Sequence, residues 1–318
     1  MSTKNHSASP APALKARAIR AGDKIGIVAP ASNVRRELLE AGSSGLRKIG
    51  YESVYSPEIF ERDLYFAGSA ERRVLELEAM MERADVAAVI CARGGYGSNY
   101  LLERLDFEKL ERHPKVLMGY SDNTSLLTAI HDRTGLITFH GPMVTKDLAA
   151  EDGVEATSWN NALQGTNEWT IPMDGVEVLR PGRARGKLYG GCLSILVASL
   201  GTPFEIQTED TVLFLEDIGT KPYQIDRMLV QMRLAGKLER VRGIVFGEMA
   251  DCRQPAGQDY TLQEVVVRVL KDIKGPIVYG LKSGHVSSRN ITLPIGVQAE
   301  LSADGAGARL AILEAATV

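Results

Sequence analysis

The sequence has little cysteine and no long apolar run, and these two absences exclude several classes of protein. Its 3 cysteines are spread widely over 318 residues and form no C-x-x-C motif. This spacing excludes a disulfide framework and a four-cysteine zinc site, and it favours a reducing compartment. No segment approaches the roughly 18 consecutive apolar residues of a membrane-spanning helix. The best apolar run, residues 87–92, has the length of a strand.

The chain also lacks a surplus of charge of either sign. It has 37 Lys and Arg residues against 40 Asp and Glu residues, which gives a formal net charge of −3. A protein that follows a nucleic-acid backbone usually has a basic surplus, and a polybasic membrane-surface protein needs a basic cluster. The composition therefore argues against nucleic acid and against a membrane as partners.

The first 20 residues, MSTKNHSASPAPALKARAIR, lack an apolar block. A secretory signal peptide needs such a block of roughly 7–15 residues, so this segment is not one. Its polar composition, rich in Ala, Pro and Ser, predicts a disordered tail over residues 1–19. Together with the unpaired cysteines, this predicts a cytoplasmic protein.

Residues 20–150 alternate short apolar runs with helical patterns. Three runs, Lys24–Ala29, Val86–Cys91 and Lys115–Gly119, are continuous apolar strands, and a helical pattern follows each of them. Continuous apolar strands that alternate with helices indicate an α/β domain whose parallel sheet is covered on both faces. The length of the chain suggests a second domain.

The alternation stops after residue 150. Residues 151–185 contain several glycine dipeptides and no sustained period, which predicts a linker with little regular structure. Residues 186–318 contain strands such as Thr211–Glu216 and Gly243–Phe246 with helices between them. We assign this part of the chain to a second α/β or α+β domain.

The most informative motif is Gly119–Thr124 (GYSDNT), which lies between a predicted strand and a predicted helix. Ser121 would stand on a tight turn at the carboxyl edge of a parallel sheet, where open α/β sheets bind ligands. The helix behind it offers free N–H groups and a positive dipole end to a developing oxyanion. The spacing resembles the G-x-S-x-G nucleophile elbow, with Asn123 in place of the last Gly. The alternative is that Ser121 or Asp122 only caps the helix.

A nucleophilic serine needs a general base, and the base needs an orienting carboxylate. His140 ends a predicted strand, and His285 lies in a polar loop after an apolar strand; both are candidates for the base. Glu216 follows a strongly apolar strand and could accept a hydrogen bond from the distal nitrogen of an imidazole. The alternative is that Glu216 and Asp217 cap a turn or pair with Lys221.

A glycine-rich loop, Arg93–Gly97 (RGGYG), follows the strand that ends at Cys91. Its glycines allow close backbone approach to a ligand and could aim an amide at an oxyanion. It does not complete the dinucleotide motif G-x-G-x-x-G, because position 100 is Tyr. Arg93 and Arg289 are candidate cations for substrate carboxylates, and either could equally be a surface charge or a structural ion pair.

Five stretches together resemble the LD-carboxypeptidase family of serine peptidases, also called muramoyltetrapeptide carboxypeptidases. They span nearly the whole chain from about residue 20, in the family's order. These stretches are Ile25–Pro30 (IGIVAP), Ala92–Gly97 (ARGGYG), Gly119–Thr124 (GYSDNT), Phe214–Asp217 (FLED) and Gly284–Gly296 (GHVSSRN, then ITLPIG).

The resemblance implies a flavodoxin-like N-terminal domain with a parallel sheet and a C-terminal domain with a swivelling, β-rich core. It places the active site between the two domains. It further implies that Ser121 is the nucleophile, that His285 is the general base and that Glu216 orients His285.

The resemblance also implies an oxyanion hole made by the backbone amides of Asp122 and of Gly94 and Gly95. The substrate would be the tetrapeptide of murein. The serine attacks the amide between an L-centre, of diaminopimelate or lysine, and a terminal D-alanine, and water then releases the acyl-enzyme. No metal or organic cofactor is required, and family members are commonly homodimers.

Two other functions stay open at this point. One is a relative that cleaves a different amide, such as a peptide-antibiotic self-immunity hydrolase, in which Trp159 and Trp169 are the residues to test for stacking on a nucleotide. The other is a non-catalytic ligand-binding α/β protein in which Ser121 is only a helix cap.

Overall fold

The structure is a computed structural model that describes residues 13–318. Fourteen strands and eight α-helices are formed by this part of the chain. The strands are β1 (Lys24–Val28), β2 (Glu52–Val54), β3 (Val86–Cys91), β4 (Val116–Gly119), β5 (Thr138–His140), β6 (Trp169–Ile171), β7 (Glu177–Arg180), β8 (Gly182–Cys192), β9 (Thr211–Glu216), β10 (Gly243–Gly247), β11 (Ile277–Leu281), β12 (Leu293–Ile295), β13 (Gln298–Asp304) and β14 (Gly307–Ile312). The helices are α1 (Arg36–Lys48), α2 (Ala70–Glu82), α3 (Phe107–Arg112), α4 (Thr124–Thr134), α5 (Ala156–Leu163), α6 (Leu193–Ala198), α7 (Pro222–Leu234) and α8 (Leu262–Val269).

The first sheet has the order β12-β5-β4-β3-β1-β2. Its five N-terminal strands are parallel, and β12 is antiparallel to β5. Every residue of β3 is buried, as a strand covered by helices on both faces requires. The expected α/β class with a parallel N-terminal sheet is confirmed.

The second sheet has the order β6-β14-β13-β8-β9-β10-β11-β7. The four central strands, β8 to β11, are parallel, and antiparallel strands extend the sheet on both sides. The strand β9 is buried along its whole length, which explains its unbroken apolar sequence up to Glu216. The carboxyl ends of β8 to β11 therefore share one edge of this sheet.

Local sequence signals fix several helix ends. Ser69 caps α2, because its hydroxyl accepts a hydrogen bond from the amide of Arg72. Thr261 and Glu264 form a reciprocal capping box at the start of α8. Gly135 ends α4 in the left-handed conformation, with a φ of 74°, which glycine adopts without steric cost.

The prediction of an irregular linker over residues 151–185 is wrong. The segment contains α5, β6, β7 and the first residues of β8. The strands β6 and β7 have only 3 and 4 residues, too few to show a period in the sequence. They are ordered by pairing with β14 and β11, which lie far away in the chain.

The predicted disordered tail is wrong for its last seven residues, 13–19. Leu14 forms a β-bridge with Leu136, and Ala16 forms one with Thr317. Ala16 and Ile19 are fully buried, so these few apolar side chains are part of the core. Residues 1–12 of the predicted tail lie outside the described residues.

Of the helices formed by residues 13–318, none is long and apolar enough to cross a membrane.

Candidate active site

Strand ends from both sheets meet at one place. Ser121 follows β4 of the first sheet, Glu216 is the last residue of β9, and His285 lies in the loop after β11. The His285 ring lies 5.2 Å from the ring of Tyr120, the residue before Ser121, in an edge-on arrangement. We call the space between Ser121 and His285 the cleft.

The backbone at Ser121 is strained. Its φ of 61° lies in the left-handed region, which costs a non-glycine residue about 1 kcal/mol or more. Among the hydrogen bonds of the described residues, Ser121 Oγ takes part in none, and Asn123 at the N-cap of α4 makes no side-chain cap. The geometry thus gives no support to Ser121 as a helix cap and resembles a nucleophile elbow.

The carboxylate of Asp122 does not cap α4 either. It is buried and accepts a hydrogen bond from the amide of Ser98 at 2.8 Å, while the Asp122 carbonyl accepts one from Ser98 Oγ at 2.6 Å. The side chain of Asn123 donates to the carbonyl of Arg93 at 3.2 Å. These bonds tie the turn that carries Ser121 to the glycine-rich loop Arg93–Gly97.

The glycine-rich loop Arg93–Gly97 touches Ser121 directly. A Cβ atom at Gly94 would lie 2.8 Å from Ser121 Cβ and 3.1 Å from Ser121 Oγ. Gly95 has a φ of 112°, and a Cβ there would lie 2.3 Å from Ser32 Oγ. Within residues 13–318 the amides of Gly94 and Gly95 donate no hydrogen bond, whereas the next amide, of Tyr96, donates to Ser32 Oγ at 3.1 Å. Two backbone N–H groups that donate to no acceptor, close to a serine hydroxyl, are suited to stabilising an oxyanion.

We expect Gly94→Ala to lower kcat roughly 10- to 100-fold, because the added methyl displaces Ser121 or the loop by several tenths of an ångström. Gly305→Ala is a matched control, since a Cβ at Gly305 meets nothing within 4 Å and neither glycine has a positive φ. Steady-state kinetics and thermal denaturation of both variants provide the measurement. Full activity in a folded Gly94→Ala variant would contradict the contact.

The imidazole of His285 is oriented by Glu216. His285 Nδ1 and the His285 backbone amide both donate to Glu216 Oε2, at 2.8 Å and 3.0 Å. A carboxylate only accepts, so Nδ1 carries the hydrogen, and the neutral ring has its lone pair on Nε2. That is the tautomer a general base requires.

Glu216 is almost inaccessible, with 1% of its surface exposed. Glycines make room for it: a Cβ at Gly284 would lie 2.6 Å from Glu216 Cδ, and one at Gly247 would lie 2.6 Å from Glu216 Cβ. Burial by itself raises the pKa of Glu216, but the imidazoles of His140 and His285 outweigh it and lower the pKa from 4.5 to about 2. Glu216 is therefore an anion that neither caps a turn nor pairs with Lys221.

Asp217, in contrast, caps a turn, as the alternative interpretation of the sequence predicts. Its carboxylate accepts hydrogen bonds from the amides of Ser194 and Ile218 at 2.9 Å and 2.8 Å, and from Thr220 Oγ1 at 2.8 Å. It stabilises the turn that follows β9 and the start of α6.

Ser121 follows Tyr120, whose ring lies 5.2 Å from that of His285, but no hydrogen bond joins Ser121 and His285 in the described chain. Catalytic hydrogen bonds are often long without substrate and shorten in the complex, so this spacing is compatible with a serine and its base. The contact between His285 and Tyr120 places the imidazole next to the residue that precedes Ser121.

The other candidates from the sequence have different positions. His140 is completely buried behind Glu216, with Nε2 at 3.8 Å from Glu216 Oε1, so it is not a base for Ser121. His131 is buried, and its Nδ1 lies 2.9 Å from the carbonyl of Leu136, which makes it a packing residue. Burial raises the pKa of the Cys91 thiol, which keeps this thiol protonated and unreactive.

The two candidate cations differ as well. Arg289 is exposed and its Nε pairs with both carboxylate oxygens of Asp152 at 3.0 Å, so it forms a structural ion pair. Arg93 is half-buried beside Gly94, and one of its nitrogens donates to the carbonyl of Asn33 at 3.3 Å. Of the two arginines, Arg93 is thus the one that belongs to the glycine-rich loop beside Ser121.

The tryptophans are unavailable for stacking on a ligand. Trp159 is 3% exposed and Trp169 is 7% exposed, and both belong to the main core cluster. The ring of Trp159 lies 6.2 Å from that of Tyr51. The sequence suggested otherwise because both residues fall in the segment that has no clear period.

Two cavities flank the cleft. One of about 520 Å³ is lined by His285, Lys146, Glu248, Arg253 and Tyr279, among others. The other, of about 410 Å³, is lined by Asp122 and, further out, by Phe204. Lys146 and Arg253 were missed in the sequence because no motif marks them; they lie in the loops that follow the buried strands β5 and β10. In the part of the chain that the structure describes, no group of three or more His, Cys, Asp or Glu residues could hold a metal ion.

Comparisons with known proteins identify the family. The profile of the LD-carboxypeptidase N-terminal domain matches residues 25–141, and that of the C-terminal domain matches residues 185–301. The probable murein peptide carboxypeptidase of Bacillus subtilis is 38% identical over 293 residues, which cover 91% of each chain. The murein tetrapeptide carboxypeptidase of Pseudomonas aeruginosa is 30% identical over 289 residues, covering 87% of this chain and 92% of its own.

Solved structures show the same fold. The muramoyltetrapeptide carboxypeptidase of Oxalobacter formigenes matches with a TM-score of 0.82 and 28% identity, covering 92% of this chain and 100% of its own. An MccF-like protein of Bacillus anthracis matches with a TM-score of 0.86 and 26% identity, covering 95% of this chain and 100% of its own. The protein therefore belongs to the LD-carboxypeptidase family and is a carboxypeptidase of the serine peptidase type.

Proposed function

We propose that this enzyme removes the terminal D-alanine from murein tetrapeptides through an acyl-enzyme on Ser121. The observation that carries the proposal is the 2.8 Å bond between His285 Nδ1 and Glu216, which leaves the lone pair of His285 on Nε2, while the serine that follows the neighbouring Tyr120 has a strained backbone. The names of the two relatives, murein peptide and murein tetrapeptide carboxypeptidase, support this substrate class.

The proposed reaction has two halves. Ser121 Oγ attacks the carbonyl carbon of the L-centre while His285 Nε2 takes the hydroxyl proton, and the amides of Gly94, Gly95 and Asp122 stabilise the oxyanion. The C–N bond then breaks, and His285 gives its proton to the leaving amine of D-alanine. Water next attacks the ester carbonyl while His285 takes a proton from it. The bond between the acyl carbon and Ser121 Oγ then breaks, His285 returns the proton to Oγ, and the tripeptide leaves as a carboxylate.

The charges around the cleft suit a substrate with several carboxylates. Arg93 begins the glycine-rich loop beside Ser121, and Lys146 and Arg253 line the cavity next to His285. The same cavity contains Glu248 and so offers a partner to an amino group. A side chain that ends in both an amine and a carboxylate, as in diaminopimelate, finds complementary charges there.

The test is mass spectrometry of L-Ala-γ-D-Glu-meso-diaminopimelyl-D-Ala incubated with the enzyme and EDTA. We expect release of D-alanine and formation of the tripeptide by wild type and no release by Ser121→Ala. The pentapeptide that ends in D-Ala-D-Ala is the matched control substrate, because its terminal amide joins two D-centres. If no D-alanine is released by folded wild-type enzyme, the substrate assignment is wrong.

A second candidate is a self-immunity hydrolase, favoured by the match to an MccF-like fold. Solved MccF structures include complexes with glutamyl and aspartyl sulfamoyl nucleosides. The burial of Trp159 and Trp169 weighs against a nucleotide stacked on either ring. Hydrolysis of aspartyl sulfamoyl adenosine in preference to the tetrapeptide would favour this second function.

We further propose that the enzyme works as a homodimer in the cytoplasm, where it would return tetrapeptide to tripeptide during peptidoglycan recycling. The reduced state of its cysteines fits such a compartment, since all three are buried free thiols.

A further inference from the structure

A second histidine lies behind the carboxylate of Glu216. His140 is the last residue of β5 in the first sheet, and it is completely buried. Its ring lies 5.0 Å from the ring of Phe214 and 5.9 Å from that of Tyr120, so water has no access to it. Nothing in the proposed reaction uses this imidazole.

The hydrogen bonds of Ser283 determine where one ring proton of His140 lies. Ser283 Oγ is 2.8 Å from the carbonyl oxygen of Ile291, which can only accept, so the single hydroxyl hydrogen points to Ile291. Ser283 Oγ is also 3.1 Å from His140 Nδ1. With its hydrogen already used, Ser283 must accept there, and His140 Nδ1 must carry a hydrogen.

The other ring nitrogen faces the carboxylate. His140 Nε2 lies 3.8 Å from Glu216 Oε1, and within the described residues neither of these buried atoms has a hydrogen-bond partner. The second oxygen, Oε2, holds His285. A lone pair on Nε2 would leave two buried acceptors facing each other, which costs free energy, whereas a hydrogen on Nε2 makes the contact attractive.

We propose that His140 is a positioning residue for Glu216. His140 carries a hydrogen on each ring nitrogen, and its Nε2 attracts Glu216 Oε1 while His285 binds Oε2. The inference deepens the proposed function and rests on it for its kinetic consequence. Because His140 belongs to the first sheet and Glu216 to the second, the pair also fixes the two halves of the cleft relative to each other. A positive charge on His140 offsets that of the carboxylate and disfavours a second positive charge on the other side of Glu216.

Other ionisable groups face the same cluster from neighbouring elements. Tyr120 follows β4, Cys192 ends β8 and Cys252 follows β10; burial raises the pKa of each, to about 11 for Cys252, so all three are uncharged at neutral pH. Asp147, whose pKa burial raises, and Lys146 also lie close to Tyr120. These groups are the same in wild type and in every variant, so a shift of the pH profile that occurs in the His140 variants and not in a control variant is attributable to His140.

The first test is independent of activity. In enzyme with ¹⁵N-labelled imidazoles, the His140 ring is assigned by nuclear Overhauser contacts to Phe214, and long-range ¹H–¹⁵N spectra at pH 7 report the state of each nitrogen. We expect both nitrogens of His140 to be protonated. An unprotonated Nε2 would overturn the proposal even if the enzyme is active.

The second test compares His140→Gln, which keeps an N–H donor without a charge, with His140→Leu, which has neither. Loss of the cation stabilises protonated His285, so the acidic limb of the kcat/KM profile should move to higher pH by about 1 unit in both variants. The kcat of His140→Leu should also fall about 10-fold, because leucine offers Glu216 Oε1 no hydrogen-bond donor. The kcat of His140→Gln should stay close to that of wild type, because glutamine does offer one.

His131→Gln is the matched control, because His131 is also buried but lies away from Glu216. It should lower thermal stability and leave the acidic limb in place. If the His140 variants behave in the same way, with reduced stability and an unmoved limb, the role of His140 is structural and the proposal is wrong. Failure of the proposed function itself would show differently, as absence of D-alanine release by the wild-type enzyme.

Discussion

Ser121→Ala is expected to lower kcat for D-alanine release about a million-fold, the loss typical of removing a serine nucleophile. The substitution removes only the hydroxyl group. Because Ser121 Oγ has no hydrogen-bond partner among the described residues, the free energy of unfolding should change by less than about 0.5 kcal/mol. Substrate binding should persist, since binding does not need the hydroxyl. Calorimetric titration of the variant with tetrapeptide, together with single-turnover kinetics, separates binding from chemistry.

Ser43→Ala is the control for this prediction. Ser43 is a buried serine on α1, remote from the cleft, whose Oγ has no partner in the described chain either. A serine-directed phosphonate should label wild type and Ser43→Ala to the same extent and should leave Ser121→Ala unlabelled. Appreciable turnover by Ser121→Ala would show that the nucleophile lies elsewhere.

His285→Ala should cost nearly as much as loss of the serine, about 10⁵-fold or more in kcat, whereas Glu216→Gln should cost about 10³- to 10⁴-fold. The glutamine has one acceptor oxygen where Glu216 has two, so it cannot hold the His285 amide and Nδ1 while keeping its other end attractive to His140. Replacement of the exposed His113 by alanine is the control, with activity unchanged. If His285→Ala and His113→Ala had equal activity, the base would be misassigned.

The pH dependence separates the two residues. The lowered pKa of Glu216, about 2, keeps it ionised well below neutral pH. Its contribution to stability is complete above its usual value of 4.5 and is lost as the pH falls through about 2. The acidic limb of activity near neutral pH therefore reports protonation of a histidine and not of Glu216. A limb that disappeared in an otherwise active Glu216→Gln variant would contradict this assignment.

Much of the fold could be predicted from the sequence, because buried parallel strands consist of unbroken runs of apolar residues. The strand Val86–Cys91 is an example, and so is Thr211–Glu216, whose end also marks the carboxylate. The strand–turn–helix pattern around Ser121 was readable for the same reason. Local sequence and local structure coincide at these places.

The remaining features depend on contacts between distant segments. The strand β13 alternates polar residues with Ala299, Leu301 and Ala303, but only Leu301 is strongly apolar, so the strand signal is weak and pairing with β8 and β14 orders the segment. The role of His140 could not be inferred, because the partners of its ring, Ser283 and Glu216, lie more than 70 positions away in the chain. A side-chain contact across two sheets has no local signature.

The short strand β12 has a consequence for the integrity of the two halves. The chain returns after the His285 loop to place Leu293–Ile295 at the edge of the first sheet, beside β5. A fragment that ended at residue 150 would expose the unpaired edge of β5 and leave His140 open to solvent. The C-terminal half, expressed alone, would carry β12 as a strand without a sheet. The residues proposed as nucleophile and base thus lie on halves that complete each other, and we expect neither half to fold stably alone.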